Sequence, residues 1–312
     1  MTFFHYFCTH MDGMSVLIPT YNDNCAVLAG TLQRQAERLG IGYEIIVADD
    51  GSTLREAIEQ NRAINQLPHC RYVERPENAG RAAIRNFLAT EARYDWLLFI
   101  DGDMVVRHDD FLRRYAECKG NGVEHEYCCI VCGGVAIGPL QPGNLRSMYE
   151  KQAEPKHTLK HRQQSPYQDF HTANFLVRRE LMLKYPFDLR FRHYGYEDVL
   201  FGKQMEQLSI PIMHIDNPLS FERFESNPDF VSKTEEGLRT LHEFRHELQG
   251  YSRLLDRVTS SALVRSCQPL IMLWHRLSGR WERANLTGPH PSLRLFKLYK
   301  LGYFLTLSAK KQ

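Results

Sequence analysis

The sequence predicts an α/β fold in which helices flank a mostly parallel sheet, followed by a helical C-terminal extension. From residue 15 onward, short apolar runs alternate with amphipathic stretches of helical length, which is typical of βαβ units. From residue 229 the pattern is helical to the end. With 312 residues, 43% of them apolar, the chain can bury a sizeable core. We therefore expect one domain over residues 14–225 and a helical extension over residues 226–312.

Four apolar runs predict the first four strands, at residues 16–18, 44–48, 70–73 and 96–100. The helices between them are predicted at residues 25–39, 53–66 and 79–91. Ser52 and Thr53 are candidate caps of the second helix. Polar residues follow the strands, and open α/β sheets bind ligands in the crevice beyond the carboxyl ends of their strands. The functional site should therefore lie at that edge.

The regular alternation is lost beyond Asp103. The remaining elements are predicted as a strand at 127–137, a polar segment up to Asp169, a strand at 171–177, a helix that begins between Gly195 and Asp198, and a strand at 210–215. The uncharged run from 127 to 145 has the length of a membrane span. Glycines and prolines interrupt it, so it cannot cross a membrane as a helix.

Charge and cysteine usage narrow the class of protein. The net charge of +2 creates no strong field for nucleic acid, so nucleic acid is not an expected partner. Eight cysteines are scattered without the spacing of a disulfide framework, and no signal peptide precedes them, so we expect a reducing, cytoplasmic location. Cys129 and Cys132 have CxxC spacing within an apolar run. A zinc site would need a second such pair, so a core strand is the preferred interpretation.

Asp101 and Asp103 follow the fourth predicted strand and are separated by one glycine. Alternate residues of an extended chain point the same way, so both carboxylates can reach one ligand. Such hard oxygen ligands suit Mg2+ or Mn2+ shared with a diphosphate. The alternative is an ordinary surface turn, because Asp and Gly are turn formers.

The other strand ends carry the groups that a nucleotide diphosphate needs. Asp50 offers a partner for a base edge, Tyr21 offers a face for the ring, and Arg81 or Arg85 offers donors for phosphate oxygens. A cation at the two aspartates would balance the phosphate charge. The set points to a nucleotide ligand much more specifically than any one of its members.

Five segments together resemble the family-2 glycosyltransferases, which are inverting enzymes of the Rossmann-like GT-A fold. The segments are residues 16–22, 46–52, 78–86, the Asp101 and Asp103 pair, and 195–198. The resemblance implies a nucleotide-sugar donor, with a UDP-sugar expected first, and an acceptor hydroxyl on a glycan or lipid-linked glycan. The implied donor-binding residues are Thr20, Tyr21, Asn22, Asp50, Asn78, Gly80, Arg81, Arg85 and Asp101, with a divalent cation at Asp101 and Asp103.

Glu197 and Asp198 are candidates for the catalytic step, which the donor-binding residues alone do not provide. Inversion at an anomeric carbon requires a carboxylate that takes the proton of the attacking hydroxyl. The resemblance implies that Asp198 is this general base and that Glu197 holds an acceptor hydroxyl or the loop. The alternative is that both acids merely stabilise a helix N-terminus.

A third metal ligand is not found at the usual place. Many family members place a histidine several residues after the strand that follows the Glu-Asp helix, whereas this chain has Ser220 and Phe221 there. His214 lies on the strand itself and is kept as a further candidate ligand. A lone histidine in an apolar strand is more often a structural residue.

The C-terminal segment is basic. Residues 283–312 carry six Lys or Arg and no acid. On a helix, Leu295, Tyr299 and Leu305 share one side with Leu298 and Gly302, which suits peripheral contact with the inner face of a membrane through residues 292–312. The alternative is a helix packed on the catalytic domain with a solvated basic face.

The sequence therefore predicts a metal-assisted, single-displacement glycosyltransferase. A sugar-nucleotide nucleotidyltransferase is the first alternative, but its Gly-rich N-terminal loop is missing after Ile18. A non-catalytic glycan-binding module is the second. The presence of Asp101, Asp103 and Asp198 argues against it.

Overall fold

The computed structural model describes residues 11–118 and 129–309. In chain order, its strands are β1 (Gly13–Thr20), β2 (Gly42–Asp49), β3 (Cys70–Glu74), β4 (Trp96–Ile100), β5 (Met104–Val105), β6 (Ile130–Cys132), β7 (Val135–Ile137), β8 (Asn174–Arg178), β9 (Ile212–His214) and β10 (Leu219–Phe221). Its α-helices are α1 (Ala26–Glu37), α2 (Arg55–Arg62), α3 (Arg81–Glu91), α4 (Phe111–Glu117), α5 (Leu145–Ala153), α6 (Leu159–Gln164), α7 (Arg179–Lys184), α8 (Glu197–Gln207), α9 (Asn227–Glu243), α10 (Arg253–Ser260), α11 (Ala262–Thr287) and α12 (Leu293–Ala309).

Seven of these strands form one sheet in the order β3-β2-β1-β4-β8-β6-β9. The first four strands in this order are parallel, β8 is antiparallel to both of its neighbours, and β9 is again parallel to β6. The predicted mostly parallel sheet is therefore confirmed. A second sheet has the order β5-β10-β7 and lies beside the carboxyl end of β4, because β5 begins only four residues after that strand ends.

Both faces of the large sheet are buried, as parallel sheets require. Val16 and Ile18 pack on one side with Leu32 of α1, whereas Leu17 packs on the other side with Leu88 of α3. Successive residues of a strand point to opposite faces, so one apolar run supplies both layers. The continuous apolar runs of the sequence are explained by this two-sided burial.

The first four predicted strands and three predicted helices are confirmed, but the cap of α2 is not where the sequence placed it. The helix begins at Arg55, and the side-chain oxygen of Asn22 accepts hydrogen bonds from the amides of Thr53 and Leu54 at 2.8 and 2.9 Å. The prediction of Ser52 and Thr53 as caps was therefore wrong. Asn22 is 31 and 32 residues away from these two residues along the chain, and the parallel pairing of β1 and β2 brings it here.

The predicted strand over 127–137 is divided into two. β6 joins the large sheet and β7 joins the small one, and residues 127 and 128 lie outside the described residues. Gly134 lies between β6 and β7 and has a φ of +89°. A Cβ at this position would lie 2.6 Å from the Arg162 guanidinium. Cys129 and Cys132 are buried in the core, as the core-strand interpretation predicts.

The polar segment that ends at Asp169 contains α5 and α6, which the sequence did not predict. Few of their residues are buried; those of α5 are Leu145 and Ser147, so the apolar period that marks a helix is weak. Side-chain caps define their starts instead. Asn144 accepts from the amide of Ser147, and Thr158 accepts from the amide of His161.

The C-terminal extension packs against the sheet domain. Leu145 of α5 shares a core with Phe230 of α9, Leu286 of α11 and Phe296 of α12. The helical extension is confirmed, whereas a domain boundary at 225/226 stays a prediction. No helix in residues 11–118 and 129–309 combines the length and apolar content needed to cross a membrane.

The membrane contact predicted through residues 292–312 needs correction. Tyr299 and Leu305, on the proposed apolar side of α12, are buried within the protein. α12 packs against α9 and α11. The alternative of a helix packed on the protein therefore describes α12, and residues 310–312 lie outside the described residues.

Candidate active site

A cavity of about 370 Å³ lies at the carboxyl ends of β1, β2 and β4. Thr20 and Tyr21 line it from the end of β1, Asp50 from the end of β2, and Asp101 and Asp103 from the turn after β4. Asn78, Gly80, Arg81 and Arg85 line it from the start of α3. The structure therefore brings eight of the nine predicted donor-binding residues to one cavity, and Asp103 as well.

Three carboxylates, those of Asp23, Asp101 and Asp103, lie close together at the end of the cavity near β4. Burial, together with the neighbouring carboxylates of Asp101 and Asp23, raises the pKa of Asp103 to about 6. Burial also raises the pKa of Asp23, which Arg223 and Lys233 partly offset. Carboxylate oxygens crowded in this way fit a hard divalent cation. Within residues 11–118 and 129–309, no three His, Cys, Asp or Glu side chains form a preassembled metal site.

Arg85 lines the cavity, but its guanidinium is engaged by carboxylates of the protein. It is almost completely buried, and its guanidinium donates to Asp101 at 2.6 Å and to Glu197 at 3.3 Å. The guanidinium carbon of Arg85 lies 6.0 Å from the centre of the Phe187 ring. Arg85 therefore ties the turn after β4 to the first turn of α8, and both of its terminal nitrogens are engaged by protein carboxylates.

Asp50 is equally engaged by the protein. Its carboxylate pairs with Arg75 at 2.7 Å and accepts from the amide of Gly80 at 2.8 Å and from that of Ala79 at 3.2 Å. These bonds hold the start of α3 against the end of β2. Asp50 reaches the cavity, but its first role in the structure is to position this loop.

The residues after β1 divide into two groups. Tyr21 is 45% exposed and lines the cavity, so its ring is available to a ligand. Asn22 is directed away to the loop before α2, where its side chain caps Thr53 and Leu54. Its backbone amide also donates to Ser52 at 2.7 Å. The predicted donor contact of Asn22 therefore needs correction: its side chain is used in holding two strand-end loops together.

The start of α3 is pressed against the loop before α8. Gly80 has a φ of +92°, and a Cβ there would lie 2.8 Å from the carbonyl oxygen of Arg192. Only glycine tolerates both the conformation and the approach. The next residue, Arg81, stacks over the ring of Tyr194 at 4.7 Å. Both arginines line the cavity, but Arg81 is exposed whereas Arg85 is buried.

Glu197 and Asp198 form the first turn of α8, preceded by Gly195 and Tyr196, which both have positive φ. Glu197 is buried and paired with Arg85. The Asp198 carboxylate accepts from the amide of Val199 at 2.8 Å. Burial raises the pKa of both acids, and the pKa of Glu197 is raised further by Asp198. Neither acid is a lining residue of the cavity, although Arg85, which lines it, is paired with Glu197.

His214 does not lie with the aspartates. It is buried on β9, its Nδ1 is 2.9 Å from the Arg162 guanidinium, and its Nε2 is 2.9 Å from the carbonyl oxygen of Pro166. Burial lowers its pKa to about 4. Both ring nitrogens are engaged, so its candidacy as a metal ligand needs correction to a structural role.

Several cavity residues were missed by sequence reasoning. They are Asp23, Arg192, His193, Tyr194, Lys233 and Glu236. Asp23 follows the recognised segment 16–22 directly, so its position was a usable signal. Lys233 and Glu236 come from α9 in the extension, and no local pattern connects them to the strand ends.

The family of the chain follows from comparison with known proteins. The family model described as glycosyl transferase family 2 matches residues 15–185, which is more than half of the chain. The chain belongs to glycosyl transferase family 2. The family resemblance drawn from the sequence is thus confirmed, and the match covers β1 to β4 and the turn with Asp101 and Asp103.

Relatives of this glycosyltransferase match over different extents. Chondroitin synthase of Escherichia coli is 38% identical over 98 residues, which are 30% of this chain and 14% of that protein. The chain therefore spans only a small part of that relative. An uncharacterized glycosyltransferase of Haemophilus influenzae is 25% identical over 215 residues, which are 69% of this chain and 80% of that protein.

Two solved structures show that the glycosyltransferase has the GT-A fold. The mannosyltransferase PcManGT from Pyrobaculum calidifontis superposes with a TM-score of 0.51 at 14% identity, covering 98% of this chain and 88% of that one. Residues 1–349 of S. aureus TarS superpose with a TM-score of 0.50 at 16% identity, covering 96% of this chain and 92% of that one. At these identities the likeness concerns the fold.

Proposed function

We propose that the protein transfers a sugar from a nucleotide-sugar donor to an acceptor hydroxyl by a single, inverting displacement. One observation carries the proposal: the cavity at the strand ends collects Tyr21, Asp50, Arg81, Asp101 and Asp103. Tyr21 offers a ring face, Asp50 an acidic group, Arg81 a positively charged side chain, and Asp101 and Asp103 hard oxygen ligands for a metal ion. These are the groups that a nucleoside diphosphate requires.

The donor class is supported by the structural neighbours. The TarS structure is a complex with UDP-GlcNAc, and the PcManGT structure is a complex with GDP-Man and Mn2+. We expect a UDP-sugar here, with the base beside Tyr21 and Asp50. Arg81 is the phosphate-facing arginine in this proposal, because Arg85 is fully engaged by Asp101 and Glu197.

A divalent cation, Mn2+ or Mg2+, completes the proposed donor site. Asp101 and Asp103 would hold it, because their carboxylates lie close together at the end of the cavity near β4. The cation would supply charge neutralisation of the donor diphosphate. Arg81 lies on the same cavity and adds a fixed positive charge that needs no metal.

Asp198 is the proposed general base. The acceptor oxygen forms a bond to the anomeric carbon while the bond from that carbon to the diphosphate oxygen breaks, and its electron pair leaves with the diphosphate. The proton of the acceptor hydroxyl passes to the Asp198 carboxylate. Burial raises the pKa of this carboxylate, which makes it a better proton acceptor than a solvated aspartate. Glu197, held by Arg85, positions the turn that carries it.

The proposed acceptor is a glycan or a lipid-linked glycan. Arg192, His193 and Tyr194 from the loop before α8 and Lys233 and Glu236 from α9 form the remaining cavity wall. Their hydrogen-bonding groups and aromatic ring suit a polyhydroxylated acceptor. The acceptor wall is thus built partly by the C-terminal extension.

Donor screening tests the binding half of the proposal. The purified chain is heated with UDP-, GDP- and dTDP-sugars in the presence and absence of Mn2+, because a bound ligand stabilises the folded state. We expect one nucleotide class to raise the melting temperature, and only with the cation. Consumption of that donor with an acceptor panel then gives the product, and NMR of the new anomeric centre should show inverted configuration. Retained configuration would contradict the single displacement.

The base assignment is tested with Asp198→Asn. Loss of the proton acceptor should lower kcat by about 10²- to 10⁴-fold and leave donor affinity unchanged. Asp256→Asn is the matched control, because Asp256 also lies in the first turn of a helix and accepts from the amide of Gly250. Glu197→Gln should act mainly on acceptor KM and stability. Near-normal turnover in Asp198→Asn with loss of turnover in Glu197→Gln would reverse the two roles, and near-normal turnover in both variants would show that the acids only stabilise the helix start.

A further inference from the structure

One face of α11 exposes large apolar side chains to solvent between residues 270 and 281. The exposed fractions of Leu270, Leu273, Trp274, Leu277 and Trp281 are 69, 53, 47, 79 and 60%. These five make up nearly half of the large hydrophobic side chains that are exposed among the described residues. A concentration of this kind on one helix marks an interaction surface.

The five side chains form one continuous stripe. With about 100° of rotation per residue, positions 270, 273, 274, 277 and 281 fall within an arc of roughly 100°. The opposite side of the helix is packed on the protein, where Leu286 and Glu282 are fully buried. The stripe is therefore held facing outward by a helix that is anchored along its other face.

A row of arginines borders the stripe on one side. Arg265, Arg276 and Arg280 are exposed, and no ion pair of the described residues includes them. Glu282 is the single acid of α11, and it is buried, accepting from the indole of Trp274 at 2.7 Å and lying 2.8 Å from Nδ1 of His275. The exposed face of α11 is therefore apolar and cationic without any negative charge.

We propose that α11 docks on the surface of a bilayer that contains anionic lipid. Leucine and tryptophan side chains would enter the boundary between headgroups and acyl chains, and the arginine row would meet anionic headgroups. Tryptophan favours this boundary because its ring is apolar and its N–H is polar. The surface belongs to α11, and not to α12, whose apolar side is buried in the protein.

Charge complementarity favours a bilayer over a second copy of the chain. An antiparallel two-fold pairing of this face would place the Arg276 and Arg280 row of one copy close to that of the other. Like charges in such an interface repel, and α11 offers no exposed acid to compensate them. An anionic bilayer satisfies the apolar stripe and the arginine row together.

Vesicle binding tests the proposal with the full-length protein. The probes are vesicles of phosphatidylcholine alone and of phosphatidylcholine with phosphatidylglycerol at about 3:1. We expect co-sedimentation with the anionic vesicles and a decrease as salt rises. Trp274 and Trp281 are exposed whereas Trp96 is buried, so tryptophan emission should shift to the blue on binding. Trp281→Phe should remove a large part of this shift.

Two kinds of variant separate the apolar and the cationic contribution. Leu277→Ser should weaken vesicle binding by about tenfold or more, since it removes a buried leucine from the bound state. Arg276→Gln and Arg280→Gln should each weaken it about fivefold on anionic vesicles and hardly at all on neutral ones. Val27→Ser, at an apolar residue that is 77% exposed on α1, and Arg113→Gln on α4 are the matched controls and should bind as the wild type does.

The outcomes are distinct from those of the proposed function. Donor consumption with a water-soluble acceptor should be unchanged in Leu277→Ser, and circular dichroism verifies that the variant folds. Equal vesicle binding by wild type, Leu277→Ser and Arg276→Gln would overturn the proposal. A second set of results would also overturn it: the wild type does not bind vesicles, sedimentation velocity shows that it is a dimer, and Leu277→Ser dissociates this dimer. The stripe would then serve self-association.

Discussion

Replacing Arg85 with methionine should destabilise the fold strongly, although the residue lies in the donor cavity. Methionine keeps the length and apolar contacts of the side chain and removes its charge. The exposed fractions of the Arg85 and Glu197 side chains are 2 and 3%, so this pair is buried, whereas Asp101 at 20% retains contact with water. Removing one partner of a buried pair costs about 3–5 kcal/mol. We expect the free energy of unfolding to fall by this amount. Most of the loss should come from the Glu197 carboxylate, which is left buried without its partner.

Urea unfolding of a double-mutant cycle measures the pair. The cycle uses Arg85→Met, Glu197→Gln and the double variant. Burial and Asp198 already raise the pKa of Glu197, and Arg85 opposes this rise. Without the arginine the acid is unpaired, so Glu197→Gln should relieve part of the damage. The double variant should be more stable than the sum of the single losses predicts, by about 0.5–3 kcal/mol.

Two results would refute this reasoning. A loss below about 1 kcal/mol in Arg85→Met would place the pair among weak surface interactions. Losses that add within about 0.5 kcal/mol would show that Arg85 and Glu197 do not interact energetically. Arg62→Met is the matched control, because Arg62 pairs with Glu74 on the surface and should cost about 1 kcal/mol or less.

Three further predictions concern the cation, the β2 loop and pH. Asp103→Ala should abolish cation-dependent donor binding in calorimetry with Mn2+, and unchanged affinity would refute the cation assignment. Asp50→Ala should weaken donor binding by about 1–3 kcal/mol. It should also lower the free energy of unfolding, because Arg75 and two backbone amides lose their hydrogen-bond partner. If donor affinity and stability both stay at the wild-type values, Asp50 is only a turn residue. Burial lowers the pKa of His214 from 6.5 to about 4, so the unfolded chain takes up this proton first as pH falls. The free energy of unfolding should therefore drop by up to about 3 kcal/mol between pH 6.5 and 4, and His214→Gln should show a flatter profile in urea unfolding.

The parts that the sequence by itself determined are those encoded by neighbouring residues. β4 was predicted with its observed bounds, because Trp96–Ile100 is an uninterrupted apolar run that ends in Asp101. The strand-end segments reached one cavity because parallel strands end at one edge of the sheet. Period and turn chemistry are local properties, so they can be read before the fold is known.

The tertiary structure alone decided which of these side chains remain available to a ligand. Arg81 and Arg85 look equivalent in the sequence, yet Arg85 is committed to Glu197, 112 residues away, and Arg81 faces the cavity. Asn22 belongs to a segment that resembles the family, but its side chain accepts a hydrogen bond from the loop before α2. Likewise, α11 and α12 both have apolar stripes, and packing buries the stripe of α12 and leaves that of α11 in solvent. Burial and pairing depend on contacts between segments far apart in the chain, and no local pattern contains that information.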